Sequence, residues 1–129
     1  MQMFSNKTVG ALGEKAAVKF LKKNKYKILE RNFTCKTGEI DIICQKDEYI
    51  VFVEVKTRKA DSVIEGVYSV NKQKQNHIFK TATVYLSKHN TDKQPRFDII
   101  DVIFDKDGKF SIREHYVDAF MQGGSYAVF

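Results

Sequence analysis

The sequence is poor in the residues and segments that mark secreted, membrane-spanning and disulfide-rich proteins. Cysteine occurs twice in 129 residues, which is too few for a disulfide framework. No apolar run approaches the roughly 18 residues that a membrane-spanning helix needs. Residues 1–8 also lack the basic, apolar and small-residue pattern of a secretory signal. We therefore expect a cytoplasmic protein that does not cross a membrane.

Internal repeats, low-complexity segments and linkers rich in glycine, proline or serine are also absent from the sequence. With 43% hydrophobic residues, including ten phenylalanines and six tyrosines, the chain can bury a substantial core. We expect residues 1–129 to fold as a single domain.

The charge is predominantly basic, with 22 Lys and Arg against 16 Asp and Glu and a formal net charge of +6. Residues 19–36 contain seven basic side chains and one acid, and residues 67–91 contain four lysines and no acid. Such segments favour an anionic partner such as nucleic acid. The alternative is that the lysines only keep helix faces solvated.

Hydrophobic periodicity predicts an α+β domain with the order α-β-β-β-α-β-β. The two helices are predicted over residues 9–24, with Thr8 or Asn6 as the N-cap, and 69–88. The five strands are predicted over residues 26–33, 39–45, 49–57, 97–104 and 109–115. A turn of three or four residues around Lys46-Asp47-Glu48 would join the second and third strands. Residues 116–129 could form a short helix or dock on a partner.

The third strand carries charged residues where a buried strand ends. Its positions 50–53 are all apolar, which is typical of a central strand covered on both faces. Glu54 and Lys56 follow, and alternation places both side chains on one face. Because desolvating two charges costs several kcal/mol, we expect them to be paired with each other or with a cation.

The second strand brings further acids to the same place. A hairpin that turns at Asp47 and Glu48 would set Asp41 opposite Glu54 and Glu39 opposite Lys56. Two carboxylates roughly 5 Å apart on neighbouring strands repel each other unless a cation lies between them. Mg²⁺ binds through one or two carboxylates and phosphate oxygens, so the pattern predicts a site for phosphodiester chemistry.

Two more residues join this predicted site. Glu14 lies at the margin of the apolar stripe of the first helix and could reach the same metal. Lys56 could orient the attacking water or offset charge that develops on the phosphate. The purely structural alternatives are a surface acid for Glu14 and a buried ion-pair network for Asp41, Glu54 and Lys56. Asp98 is predicted either as a further acid or as a structural partner of Arg96.

The chain also carries six motifs: Gly13-Glu14-Lys15-Ala16-Ala17, Glu30-Arg31-Asn32-Phe33, Gly38-Glu39-Ile40-Asp41-Ile42-Ile43, Val51-Phe52-Val53-Glu54-Val55-Lys56-Thr57-Arg58, Lys72-Gln73 and Arg96-Phe97-Asp98. Together these motifs, which cover nearly the whole chain, resemble the YraN-type family of uncharacterised bacterial proteins. That family is similar to the PD-(D/E)xK nuclease superfamily, especially to archaeal Holliday-junction resolvases and restriction-endonuclease-like domains.

The resemblance implies a restriction-endonuclease-like core, which is a mixed sheet flanked by helices. Asp41 matches the superfamily aspartate, Glu54-Val55-Lys56 matches the acid-x-Lys element, and Glu14 matches the helical glutamate. Ile40 stands where the superfamily motif has its proline. The implied cofactor is Mg²⁺ or Mn²⁺, held by Asp41, Glu54 and Glu14.

The function that the resemblance implies is metal-dependent hydrolysis of DNA phosphodiester bonds, with branched or damaged DNA among the substrates. Lys72 and Gln73 at the start of the second helix, together with Arg58, are predicted to contact nucleic acid, whereas Gln75 is expected to be solvated. Two alternatives stay open: an inactive module that binds nucleic acid, and an interaction protein that dimerises on the same scaffold.

Overall fold

The computed structural model describes residues 5–62 and 70–121. In these ranges the elements are α1 (Asn6–Lys23), β1 (Lys27–Cys35), β2 (Gly38–Lys46), β3 (Tyr49–Lys59), α2 (Lys72–Lys88), β4 (Gln94–Phe104) and β5 (Phe110–Tyr116). The predicted order of helices and strands is therefore confirmed.

The five strands form one mixed sheet with the order β1-β2-β3-β4-β5. β3 and β4 are parallel and are joined through α2, whereas the other neighbouring strands are antiparallel. β3 is the central strand, and residues 50–53 are all buried. The mixed sheet and the central position of the third strand are thus as predicted.

The two helices cover opposite faces of the sheet. Ala17 and Leu21 of α1 pack with Val51 of β3 in one hydrophobic cluster. Phe79 of α2 packs with Phe52 in the other cluster. Because neighbouring residues of a strand point to opposite faces, the sheet lies between two separate cores.

Several predicted boundaries were wrong by a few residues. α1 begins at Asn6 rather than at residue 9, and its N-cap is Ser5, whose hydroxyl accepts a hydrogen bond from Thr8 N at 3.1 Å. The strands extend one to three residues beyond most of the predicted ends. The predicted start of the second helix, Ser69, lies outside the described residues, and α2 begins at Lys72 behind the N-cap Asn71.

The β2–β3 turn is tighter than predicted. Lys46 pairs with Tyr49, so only Asp47 and Glu48 form the turn. Asp47 adopts a positive φ of 53°, a conformation that a short polar side chain tolerates. Sequence patterns locate such a turn more easily than they fix its length.

The described part of the predicted C-terminal tail packs on the protein itself. Ala119 donates its backbone N–H to Phe97 O at 2.7 Å, and Phe120 is buried in the core on the α2 side. Residues 122–129 lie outside the described ranges. Both cysteines, Cys35 and Cys44, are free thiols. None of the helices in the described ranges is long and apolar enough to cross a membrane.

Candidate active site

The site begins where the pairing of β2 and β3 ends. The two strands pair in the predicted hairpin register from Lys46 and Tyr49 to Ile42 and Val53, and the pairing ends there. The predicted pairs of Asp41 with Glu54 and of Glu39 with Lys56 lie beyond this point and are not formed, so this part of the prediction was wrong. Beyond the last pair, Asp41 Oδ2 accepts a hydrogen bond from Val55 N at 2.8 Å. A side-chain carboxylate thus replaces the next backbone contact between the strands.

The backbone of β2 is irregular at this point. Ile40 and Ile43 both belong to the core on the α2 side, although strict alternation puts residues three apart on opposite faces. On the neighbouring strand β1, Asn32 adopts a positive φ of 54°. The irregularity coincides with Asp41, and such local strain in a strand is common beside functional sites.

Glu54 carries the second carboxylate and is held by two lysines. Its side chain is 5% exposed, and its Oε2 lies 3.3 Å from Lys56 Nζ and 3.1 Å from Lys74 Nζ. Lys56 is two residues further along β3, as predicted, whereas Lys74 comes from the first turn of α2. From the sequence, Lys74 was only one of four lysines in the acid-free residues 67–91. Its contact with Glu54 was not predicted, because the placement of α2 on the sheet depends on tertiary packing.

The contacts of Asp41 differ from those of Glu54. No ion pair with Asp41 is found within residues 5–62 and 70–121. Burial, followed by the nearby charge of Glu54, raises the pKa of Asp41 to about 8, although the hydrogen bond from Val55 N acts in the opposite direction. Ionisation of Asp41 is therefore unfavourable in this site, and a bound cation would favour the charged carboxylate.

Glu14 reaches the site from α1 because the helix lies very close to β3. A Cβ atom added at Gly13 would overlap the Thr57 side chain, with Thr57 Cβ and Cγ2 both at 2.9 Å. Glu14 Oε1 accepts a hydrogen bond from Asn32 Nδ2 at 2.8 Å and lies 3.4 Å from Arg31 Nε. Burial raises the pKa of Glu14, with Arg31 acting against it. Arg31 and Asn32 were part of a sequence motif, but their contacts with Glu14 were not predicted.

These groups border a cleft of about 730 Å³ between α1 and the ends of β2 and β3. Glu14, Asp41 and Lys56 all line it, and Glu54 adjoins it through its contact with Lys56. Lys7 and Arg31 add positive charge to the wall. Among the described residues, no three His, Cys, Asp or Glu side chains form a ready-made metal cluster. Mg²⁺ usually needs only one or two carboxylates, with water completing its shell.

The residues predicted to contact nucleic acid have different surroundings. Lys72 and Gln73 are exposed at the start of α2. Arg58 forms a two-pronged ion pair with the buried carboxylate of Asp101, with distances of 3.0 and 3.3 Å, and donates to Ser62 O. The expectation that Gln75 is solvated was wrong, because Gln75 is 5% exposed and donates to Val70 O at 3.0 Å.

A second polar network lies away from the cleft, at the start of β4. Arg96 donates two hydrogen bonds to the buried carboxylate of Asp98, at 2.9 and 2.7 Å. His115 Nε2 lies 2.8 Å from the same carboxylate, and Arg96 also donates to the Tyr26 hydroxyl. Of the two alternatives predicted for Asp98, a further acid or a structural partner of Arg96, the structure shows the pair with Arg96.

Fold and site together define an α+β domain with a mixed sheet between two helices and a carboxylate and lysine cluster where the pairing of its second and third strands ends. The chain belongs to the uncharacterised protein family UPF0102, whose sequence model matches residues 13–102. This confirms the resemblance to the YraN-type family that the motifs indicated.

The chain is similar to several bacterial members of this family. It is 45% identical over 123 residues to the UPF0102 protein of Caldanaerobacter subterraneus subsp. tengcongensis, covering 93% of this chain and 100% of the relative. It is 44% identical over 118 residues to the UPF0102 protein of Pelobacter propionicus, covering 89% and 84%. It is 43% identical over 116 residues to that of Geobacter metallireducens, covering 89% and 93%.

Proposed function

We propose that the protein is a metal-dependent endonuclease that hydrolyses phosphodiester bonds in DNA. The observation that carries the proposal is the placement of two carboxylates, Asp41 on β2 and Glu54 on the central strand β3, where the pairing of these strands ends. The ammonium group of Lys56 and an open cleft lie beside them. Carboxylates and a lysine in one water-accessible cleft are the groups that phosphodiester hydrolysis needs.

The residues present fit a divalent cation, for which we propose Mg²⁺ or Mn²⁺. Asp41 uses one oxygen for the bond from Val55 N, and Glu54 uses one oxygen for the two lysines. In the part of the chain that the structure describes, no hydrogen bond or ion pair reaches Asp41 Oδ1 or Glu54 Oε1. Each carboxylate therefore keeps one oxygen for a cation. Bound there, the ion would polarise a phosphate oxygen and lower the pKa of a water molecule.

The chain's own residues supply the remaining functions. Lys56 has three N–H donors and uses one of them on Glu54, so the others can hold the attacking water or stabilise charge on the phosphate. Glu14, fixed by Asn32, would assist from the helix side of the cleft. In the reaction, the water oxygen forms a bond to phosphorus, one P–O ester bond breaks, and the leaving oxygen takes up a proton.

The basic side chains of the cleft and the net charge of the chain support an anionic substrate. Lys7, Arg31 and Lys56 line the cleft together with the acids Glu14, Glu39 and Asp41, and the whole chain carries a net charge of +6. Lys72 and Gln73 are proposed contacts at the exposed start of α2. Because Asp101 already holds Arg58, we assign Arg58 to supporting the end of β3 near Ser62 while it contributes positive charge. The choice of DNA, branched or damaged forms included, rests on the superfamily resemblance.

One observation favours a second candidate function. Both lysines of the site already neutralise Glu54 without any metal. A self-compensated site of this kind also suits an inactive module that binds nucleic acid through its basic surface. Such a module would bind DNA with strong salt dependence, and loss of Asp41 would not weaken the binding.

The deciding experiment compares DNA cleavage by the parent and by Asp41→Asn in Mg²⁺ or Mn²⁺, on plasmid and branched substrates. Glu48→Gln is the matched control, because Glu48 is an exposed acid in the β2–β3 turn. We expect the parent and Glu48→Gln to cleave and Asp41→Asn to be inactive but folded. Equal cleavage by all three proteins would contradict the proposal. Binding without cleavage by the parent would favour the second candidate.

A further inference from the structure

Two ammonium groups share a single oxygen of Glu54. Lys56 Nζ and Lys74 Nζ lie 3.3 and 3.1 Å from Glu54 Oε2. The neighbouring carboxylate of Asp41 accepts a hydrogen bond from the backbone N–H of Val55. Among the described residues, the direct contacts with ammonium groups therefore fall on one of the two carboxylates.

The two lysines differ in how firmly they are held. Lys56 is on the central strand and its side chain is 24% exposed, whereas the Lys74 side chain is 42% exposed. The backbone of Lys74 is fixed, because its N–H donates to Asn71 Oδ1 at 2.9 Å and the next residue, Gln75, donates to Val70 O. Lys74 thus combines a rigid attachment point with a long side chain that solvent reaches.

A divalent cation bound by Asp41 and Glu54 would change the balance at Glu54. The cation takes over the neutralisation of the carboxylates, and it repels an ammonium group that lies on one of its ligands. Lys74 is the lysine that can leave, since it comes from the helix and is more exposed. A phosphate group of a substrate that approaches the cation offers the displaced ammonium a new anionic partner.

We propose that Lys74 is a positioning residue that exchanges partners: it holds Glu54 when the metal is absent and contacts a substrate phosphate when the metal is bound. The inference rests on the proposed function, because it assumes a cation at Asp41 and Glu54. Since the Lys74 ammonium repels a cation held by the other oxygen of Glu54, it weakens metal binding in the absence of DNA. Since it is released for the phosphate, metal and DNA strengthen each other's binding.

The first test measures Mn²⁺ binding by isothermal titration to the parent, Lys74→Met and Lys80→Met. Lys80 is an exposed lysine on the same helix, so its variant loses the same charge away from the site. We expect Lys74→Met to bind Mn²⁺ about two- to fivefold more tightly than the parent, the range that follows from a partly exposed ion pair. Lys80→Met should match the parent. Equal or weaker binding by a Lys74→Met protein with parental circular dichroism would overturn the exchange.

The second test measures binding of a fluorescein-labelled DNA duplex by anisotropy, once with a chelator and once with Ca²⁺. Lys74→Met should lose affinity relative to the parent only with Ca²⁺, because without metal its lysine is engaged by Glu54. An equal loss in both conditions would make Lys74 a simple surface contact and overturn the exchange. Absence of any Mn²⁺ binding by the parent would overturn the proposed function as well. Parental Mn²⁺ binding that Asp41→Asn abolishes and Lys74→Met does not strengthen would overturn this inference alone.

Discussion

Asp41 on β2 accepts a hydrogen bond from the backbone N–H of Val55 on β3, with 2.8 Å between Oδ2 and N. The contact lies just beyond Ile42 and Val53, the last residue pair of the two strands. A backbone amide thus fixes the orientation of the carboxylate, while burial and then the nearby Glu54 make its negative charge unfavourable. The arrangement suits a bound cation better than it suits the metal-free protein, and such trade-offs between stability and function are common at active sites.

Asp41→Asn should therefore stabilise the metal-free protein. The amide keeps an oxygen for Val55 N–H and removes an ionisable group whose charged form is disfavoured by burial and then by Glu54 and Glu14. We expect the free energy of unfolding to rise by about 1 kcal/mol in the presence of a chelator, measured by urea denaturation at neutral pH. The same variant should lose Mn²⁺ binding. Glu48→Gln serves as the control and should change neither the free energy of unfolding nor Mn²⁺ binding. A less stable Asp41→Asn protein would mean that the ionisable carboxyl of Asp41 does not destabilise the metal-free protein.

Lys56→Met should separate catalysis from metal binding. The side chain lines the cleft and contacts Glu54, but a lysine is not a metal ligand. We expect cleavage to fall by about a hundredfold or more, the usual effect of removing one group that stabilises charge in the transition state. Mn²⁺ binding by titration should persist. Lys59→Met, which removes an exposed lysine at the end of the same strand, is the control. Parental cleavage by Lys56→Met would exclude a role for Lys56 in the reaction.

Gly13→Ala should destabilise the protein because the new methyl group would overlap the Thr57 side chain. We expect a loss of about 1–3 kcal/mol in the free energy of unfolding, which is typical of overpacking. Gly10→Ala is a matched control in the same helix, because no heavy atom lies within 4 Å of a Cβ added there. It should stabilise the protein by up to about 1 kcal/mol through helix propensity. Equal effects of the two substitutions in urea denaturation would mean that α1 does not depend on this close approach.

Local patterns in the sequence were enough to predict the elements and part of the site. The apolar run at residues 50–53 indicated a central strand, and the hairpin register followed from the position of Asp47 and Glu48. That register predicted Asp41 near Glu54, although Asp41 is held by its hydrogen bond from Val55 N and not by strand pairing. Both inferences depend on residues that are close in sequence, where side-chain alternation is reliable.

The contacts that the sequence did not reveal all join distant segments. Lys74 reaches Glu54 across the packing of α2 on the sheet, and Asn32 reaches Glu14 across the packing of α1. Neither the position of a helix along a sheet nor the irregularity at Asp41 follows from periodicity. Gln75 was wrongly predicted to be solvated. A polar side chain at a helix start can be buried when it has a hydrogen-bond partner, and here that partner is Val70 O.

Asp98→Asn should give a pH-dependent loss of stability. Burial alone would raise the pKa of Asp98, but hydrogen bonds from His115 and Arg96 hold it below its usual value of 3.8. A lowered pKa in the folded state means that the stabilisation is present above about pH 4 and is lost as the pH falls further.

At neutral pH we expect the free energy of unfolding of Asp98→Asn to be about 3 kcal/mol lower than that of the parent, since the variant leaves Arg96 buried without its anion. Urea denaturation across this pH range should show that the difference in the free energy of unfolding between parent and variant shrinks in acid. Asp107→Asn, which replaces an exposed acid in a turn, should have the same free energy of unfolding as the parent throughout. If the difference in the free energy of unfolding between the parent and Asp98→Asn stays constant as the pH falls, the ion pair does not supply the stabilisation.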